Sequence, residues 1–235
     1  MILENYYRIN QNRILVSRQQ ASDFAKQIAN DYNPIHDVDS KRFCVPGDLL
    51  FSLVLKHYGL SQHMRFRFAG MVGDNIQLIF PETDSEELTI RGDNGKEYLH
   101  FERSGERTDD LDVIEKLVKV YVAFSGHAFP HVLVPLMEQH DVMINPDRPL
   151  IIYESMELDL ERLDLADPSL NLEKTTLEVK GKRGQVTLQF SLKDGRQAVG
   201  HGTKKMVLSG LRPYDAERMQ EVVAGYNHRM NGNDA

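Results

Sequence analysis

A single cysteine, Cys44, in a chain of 235 residues rules out an intrachain disulfide framework and a zinc site built from several cysteines. No apolar run approaches the ~20 residues that a membrane-spanning helix needs. The stretch from Met1 to Ser17 mixes polar and apolar residues and lacks the continuous apolar core of a secretory signal. Basic charge is also scarce. With 28 Lys and Arg against 35 Asp and Glu, the formal net charge is −7, whereas duplex binding calls for a basic face. These absences predict a cytoplasmic protein with neither a membrane nor a nucleic-acid partner. The composition, 41% hydrophobic and 27% charged, is that of a globular protein able to bury a substantial core. The length fits one large domain or two small ones.

Hydrophobic spacing sets out the elements. Tyr6 to Val16 predicts a strand, and Ser17 then stands as a helix N-cap. From Arg18 the residues Ala21, Phe24, Ala25 and Ile28 recur at helical spacing. Pro34 disfavours the α conformation before it, so this helix is expected to stop near Tyr32 or Asn33. A second apolar helix is predicted over Leu49 to Tyr58. Strands follow over 65–72, 75–80, 87–91 and 96–102, punctuated by turn residues. The order then repeats, with helical segments at 111–124 and 132–137 and strands at 150–160, 172–179, 185–192 and 197–208. A closing helix spans 213–230, ahead of a frayed polar tail over 231–235.

The two helix ends share a spacing. Phe24, Ile28, Asp31, Asn33 and Pro34 correspond to Val120, Phe124, His127, Phe129 and Pro130. This predicts a diverged duplication with halves at 1–108 and 109–235, the polar set being kept in the first only. Helices packed on antiparallel sheet place the chain in the α+β class.

The chemistry-bearing residues concentrate between Asp31 and His36. A carboxylate beside an imidazole makes a general acid/base pair, and Pro34 stiffens the turn that separates them. Taken singly, Asp, Asn and His in a turn are ordinary. His127 and His131 have the i, i+4 spacing of helical metal ligands, but Pro130 lies between them and no Glu pattern accompanies them, so no metal is expected. Cys44 reads as a small buried residue rather than a nucleophile.

As a string, Asp31-Tyr32-Asn33-Pro34-Ile35-His36 after an amphipathic helix resembles the signature of the MaoC-like, (R)-specific enoyl-thioester hydratases. Val45-Pro46-Gly47-Asp48-Leu49-Leu50-Phe51-Ser52 is similar to the segment that opens that family's central helix, and Val72-Gly73-Asp74 to one of its turns. The resemblance covers about the first 80 residues. It implies a hotdog fold, here doubled in one chain. It also implies hydration of an enoyl thioester or the reverse dehydration, a hydro-lyase reaction without a cofactor. Asp31 and His36 would be the catalytic pair. Asn33, Gly47 and Ser52 would bind substrate, with the Gly47 amide facing the thioester carbonyl. The substrate would be an acyl-coenzyme A or an acyl-carrier thioester, for whose phosphates Lys41-Arg42 or Arg65 with Arg67 could supply cations. A doubled fold is compatible with a monomer or a homodimer. The same fold also hosts thioesterases and non-catalytic proteins that bind an acyl ligand or a protein partner. The chain departs from the family pattern at Pro46, where a His usually precedes the glycine, and at Arg42, where a small residue is usual. It departs also at Asp48, a carboxylate where a hydrophobic residue is expected.

Overall fold

The computed structural model describes residues 2–232, so the last three residues of the expected polar tail lie outside it. The predicted first strand is a hairpin, β1 (Arg8–Asn10) paired with β2 (Arg13–Leu15). Gln11 and Asn12 both take positive φ at its tip, 48° and 60°, the backbone of a two-residue type I′ turn. Helix α1 (Arg18–Gln27) starts where expected: the Ser17 hydroxyl accepts from the Gln20 amide while Gln20 returns a side-chain bond to the Ser17 amide. It ends several residues before Pro34. Asn30 adopts φ 52°, and the Asp31 amide closes back on the Ala25 carbonyl at 2.8 Å, a left-handed cap that satisfies the end of the helix.

Helix α2 (Gly47–Tyr58) is buried almost all round, with Leu49, Leu50, Phe51, Leu53, Val54 and Leu55 inside. Each such side chain stabilises the fold by roughly 1.5–3 kcal/mol. Gly59 caps it at φ 78°, so strand β3 (Leu60–Phe68) starts five residues earlier than predicted and leaves 69–76 as loop. Strands β4 (Gln77–Ile79), β5 (Glu87–Gly92) and β6 (Glu97–Thr108) complete the first set.

Helices α3 (Leu111–Gly126) and α4 (Leu133–Gln139) follow, then β7 (Val142–Met143), β8 (Ile151–Leu160), β9 (Pro168–Lys180), β10 (Arg183–Asp194), β11 (Gln197–Ser209), β12 (Arg212–Pro213) and α5 (Ala216–Met230). The small β7–β12 pair has no counterpart in the hydrophobic pattern.

Ten strands form one antiparallel sheet in the order β1-β2-β4-β5-β6-β3-β8-β11-β10-β9. The two sets meet where β3 pairs with β8, Phe66 opposite Met156. The packing does not divide at the same place. The larger core takes α1, α2 and the inner face of α3 (Ile114, Leu117, Tyr121) together with Met156, Leu158 and Phe190 of the second strand set. A smaller core lies under α4 and α5 against β9, β10 and β11. Helix α3 packs on β9 and, through Tyr121 and Phe124, on Phe190 of β10, and its inner face also meets α2, so the larger core runs across the junction. No helix among the described residues is long and apolar enough to cross a membrane.

Candidate functional site

Two consecutive side-chain turns shape the segment after α1. Asp31 Oδ1 accepts from the Asn33 amide at 2.9 Å, and Asn33 Oδ1 accepts from the Ile35 amide at 3.2 Å, capping a short 3₁₀ turn over Pro34–His36. With one carboxylate oxygen used in the turn, the other faces the imidazole: Asp31 Oδ2 lies 3.7 Å from His36 Nε2. The ring is fixed from behind, because His36 Nδ1 donates to the Cys44 carbonyl at 2.7 Å. In the neutral ring this leaves the lone pair on Nε2, beside Asp31. Cys44 itself is half-buried, and desolvation raises its thiol to about 12, so it carries no thiolate at neutral pH.

Asp31, Asn33, His36 and Gly47 all contribute to the wall of one cavity of about 660 Å³. It lies between the α1–α2 connection, the C-terminal end of α3, β11 and α5. Gly47 opens α2 with no side-chain cap on that helix; the Leu49 and Leu50 amides bond to the Pro46 carbonyl, which leaves the amides of Gly47 and Asp48 without an intrahelical acceptor. A side chain at position 47 is excluded by Tyr153, whose Cδ1 would stand 2.7 Å from an added Cβ. The structure does not bring Ser52 to the cavity. It is fully buried and its hydroxyl donates to the Asp48 carbonyl at 2.6 Å, a bond within the helix. His127 and His131 stack ring on ring with centroids 4.1 Å apart, and no group able to hold a metal ion occurs among the described residues.

The sequence reading missed the polar group that joins the two strand sets. Asp48 on α2 is buried, and its Oδ2 accepts from the Ser125 hydroxyl of α3 at 2.5 Å. Lys204 on β11 donates to the same hydroxyl, lies 3.9 Å from Asp48 Oδ1 and sits over the Tyr153 ring, 4.0 Å from its centroid. Burial raises the Asp48 carboxyl, while Lys204 and then the Ser125 hydroxyl act to lower it. Burial lowers the Lys204 ammonium, with Asp48 and Asp31 opposing. Behind them the hydroxyls of Tyr121 and Tyr153 touch. Two signals were available. Asp48 stands at the head of an apolar run, and a carboxylate there must find a partner. Lys204 falls in the inward phase of its strand with Gly202, Met206 and Leu208.

Among solved structures, the chain is similar to an acyl-CoA thioesterase II, TesB2, from Mycobacterium marinum, with 10% identity over 92% of this chain and 98% of that one and a TM-score of 0.44. It is similar also to a tesB protein of Mycobacterium avium subs paratuberculosis, at 7% identity over 88% and 96% with a TM-score of 0.43. A MaoC-like dehydratase aligns at 10% identity over 86% and 97% with a TM-score of 0.41. No curated protein matches. Residues 1–217 match the model of the family described as "Protein of unknown function (DUF3581)", and the chain belongs to that family.

Proposed function

We propose that this protein hydrates an enoyl thioester, or catalyses the reverse dehydration, within a double hotdog of halves 1–108 and 109–235. The fold reading rests on strand order. In the first half β2-β4-β5-β6-β3 places the strand after the central helix at the junction. In the second, β8-β11-β10-β9 mirrors its last four strands across that junction. The observation that carries the functional reading is the approach of Asp31 Oδ2 to His36 Nε2 on the wall of the cavity.

A water held by this pair attacks C3 of the enoyl chain and passes a proton to His36 Nε2. The Asp31 carboxylate stabilises the resulting imidazolium, which returns the proton to C2 as the enolate collapses and leaves the neutral ring for the next turnover. In this reading the amides of Gly47 and Asp48, which lack an intrahelical acceptor, receive the developing enolate oxygen. A donor of this kind is typically worth about 2.7–4 kcal/mol. Asn33 serves chiefly to shape the turn. The apolar part of the wall, with Leu50, Phe68, Ile152 and Phe129, suits an acyl chain.

Purified protein supplied with crotonyl-coenzyme A tests this, with hydration and release of free thiol followed in the same reaction. Hydration that collapses in Asp31→Asn and His36→Ala supports the proposal. Thiol release without hydration, or hydration indifferent to both substitutions, overturns it.

A further inference from the structure

Asp48 poses a physical problem. It is the second residue of α2, one position from Gly47, and a carboxylate beside an oxyanion site opposes the charge that catalysis must create. Its side chain, however, is directed at Ser125 on α3 and towards Lys204 on β11. Ser125 donates to Asp48 and accepts from Lys204, so the three groups form one chain of contacts. All three are buried. This ion pair lines the wall of the cavity while exposing little of itself. It acts as a pair of fixed charges in a medium of low dielectric, where fields are strong. Asp31 lies within electrostatic reach of both Asp48 and Lys204, which places the pair and the proposed acid/base groups in one field.

We infer that Lys204, held by Ser125, is a positioning residue of the site: its ammonium cancels the Asp48 carboxylate, so that the first turn of α2 presents its amides to an anionic substrate oxygen without a competing negative charge. The second half then has a role although it lacks the Asp–Asn–His set. It supplies the cation that makes the first half's helix terminus usable, and the site is incomplete without it. The inference rests on the thioester reading above and adds the residues that set the local potential.

Bound acetoacetyl-coenzyme A reports that potential directly, because its enolate absorbs in the near ultraviolet and forms without turnover. The pH at which it enolises on the protein follows the charge around its carbonyl oxygens. Lys204→Met is expected to raise that midpoint by about one unit, a tenfold loss of enolate at fixed pH. Asp48→Asn is expected to move it the opposite way, and Asp48→Leu combined with Lys204→Met to bring it back near the starting value. A purely structural role for the pair moves none of these midpoints in opposite directions. The double variant and Asp48→Asn keep the test informative if Lys204→Met alone fails to fold. An enolate fraction that is the same in every variant, with hydration intact, overturns this inference alone. Failure of acetoacetyl-coenzyme A to bind the unaltered protein overturns the thioester reading and this inference with it.

Discussion

Gly126, the last residue of α3, packs directly on the backbone carbonyl of Ala29, just beyond the end of α1. The two helix ends that share a residue spacing are therefore also in contact. At this crossing α3 meets the segment that follows α1, and beside it Ser125 reaches Asp48 on α2.

Gly126→Ala is expected to be strongly destabilising. A Cβ there would overlap the Ala29 carbonyl oxygen, and backbone cannot yield as a flexible side-chain tip can. Overpacking typically costs about 1–3 kcal/mol, more where the obstacle is rigid. Chemical denaturation checks this against Gly73→Ala, where an added Cβ meets nothing and little change is expected. Equal stability of the two variants would rule out the close helix crossing.

The buried ion pair predicts an asymmetry in stability. Lys204→Met leaves Asp48 as an uncompensated buried charge and is expected to cost about 3–5 kcal/mol. Pairing it with Asp48→Leu removes both charges and is expected to recover most of the loss, since replacing a whole buried pair by apolar residues is often neutral or stabilising by about 1–4 kcal/mol. Urea titrations of the two single variants and the double one give the coupling. Additive losses would show that the two groups do not interact.

Much of this architecture was legible because burial imposes periodicity. α2 is apolar on nearly every face and reads as a central helix, and the alternation in β10 and β11 reads as half-buried strand. The errors have local causes. α1 stops at a left-handed Asn30 rather than at Pro34, because an asparagine can take positive φ and nothing in the apolar spacing records it. β3 begins directly after Gly59, since a glycine at positive φ ends one element and starts the next without a loop. At the candidate site, the nearness of Asp31 to His36 was legible because they lie in one short string. Ser125 and Lys204 were not, because the contacts that join them to Asp48 span α2, α3 and β11 and leave no spacing in the sequence. Ser52 was misplaced for a related reason: a serine on a fully buried helix satisfies its hydroxyl within the helix.

Asp194, at the β10–β11 hairpin, gives a pH-dependent prediction away from the cavity. Its Oδ1 accepts from the amides of Asp167 at 2.5 Å and Ala166 at 3.0 Å, and its Oδ2 meets Arg162 at 2.6 Å. The Asp167 amide, more than any other group, holds its carboxyl below the ordinary 3.8. A depressed folded-state value means that the stabilisation is present above about pH 3.8 and lost as the pH falls through the lower native value. Asp194→Ala is therefore expected to cost about 2 kcal/mol at pH 7, the scale of hydrogen bonds to a charged group. The side chain is only 8% exposed, so solvent screens little of this. The difference should shrink in strong acid. Denaturation at pH 7 and near pH 2.5 compares the two, and a gap that is constant with pH would mean that the carboxylate charge contributes nothing.

The choice of substitution at Asp31 separates its two jobs. Asp31 Oδ1 closes the turn by accepting from Asn33, and Oδ2 faces His36. Asparagine keeps an acceptor for the turn while removing the charge, so Asp31→Asn is expected to fold with near-normal stability. Its kcat for crotonyl-coenzyme A hydration should fall by about 10²–10⁴, the usual contribution of a positioned acid or base. Asp31→Ala loses the turn as well and should show the same fall in kcat with a lower melting temperature. His36→Ala removes the bond to Cys44 and should behave like Asp31→Ala. KM should change little in Asp31→Asn, because in the proposed reaction the carboxylate acts on water rather than on the thioester. A large rise in KM at unchanged kcat would instead make Asp31 a substrate-binding group and leave His36 without its partner in catalysis.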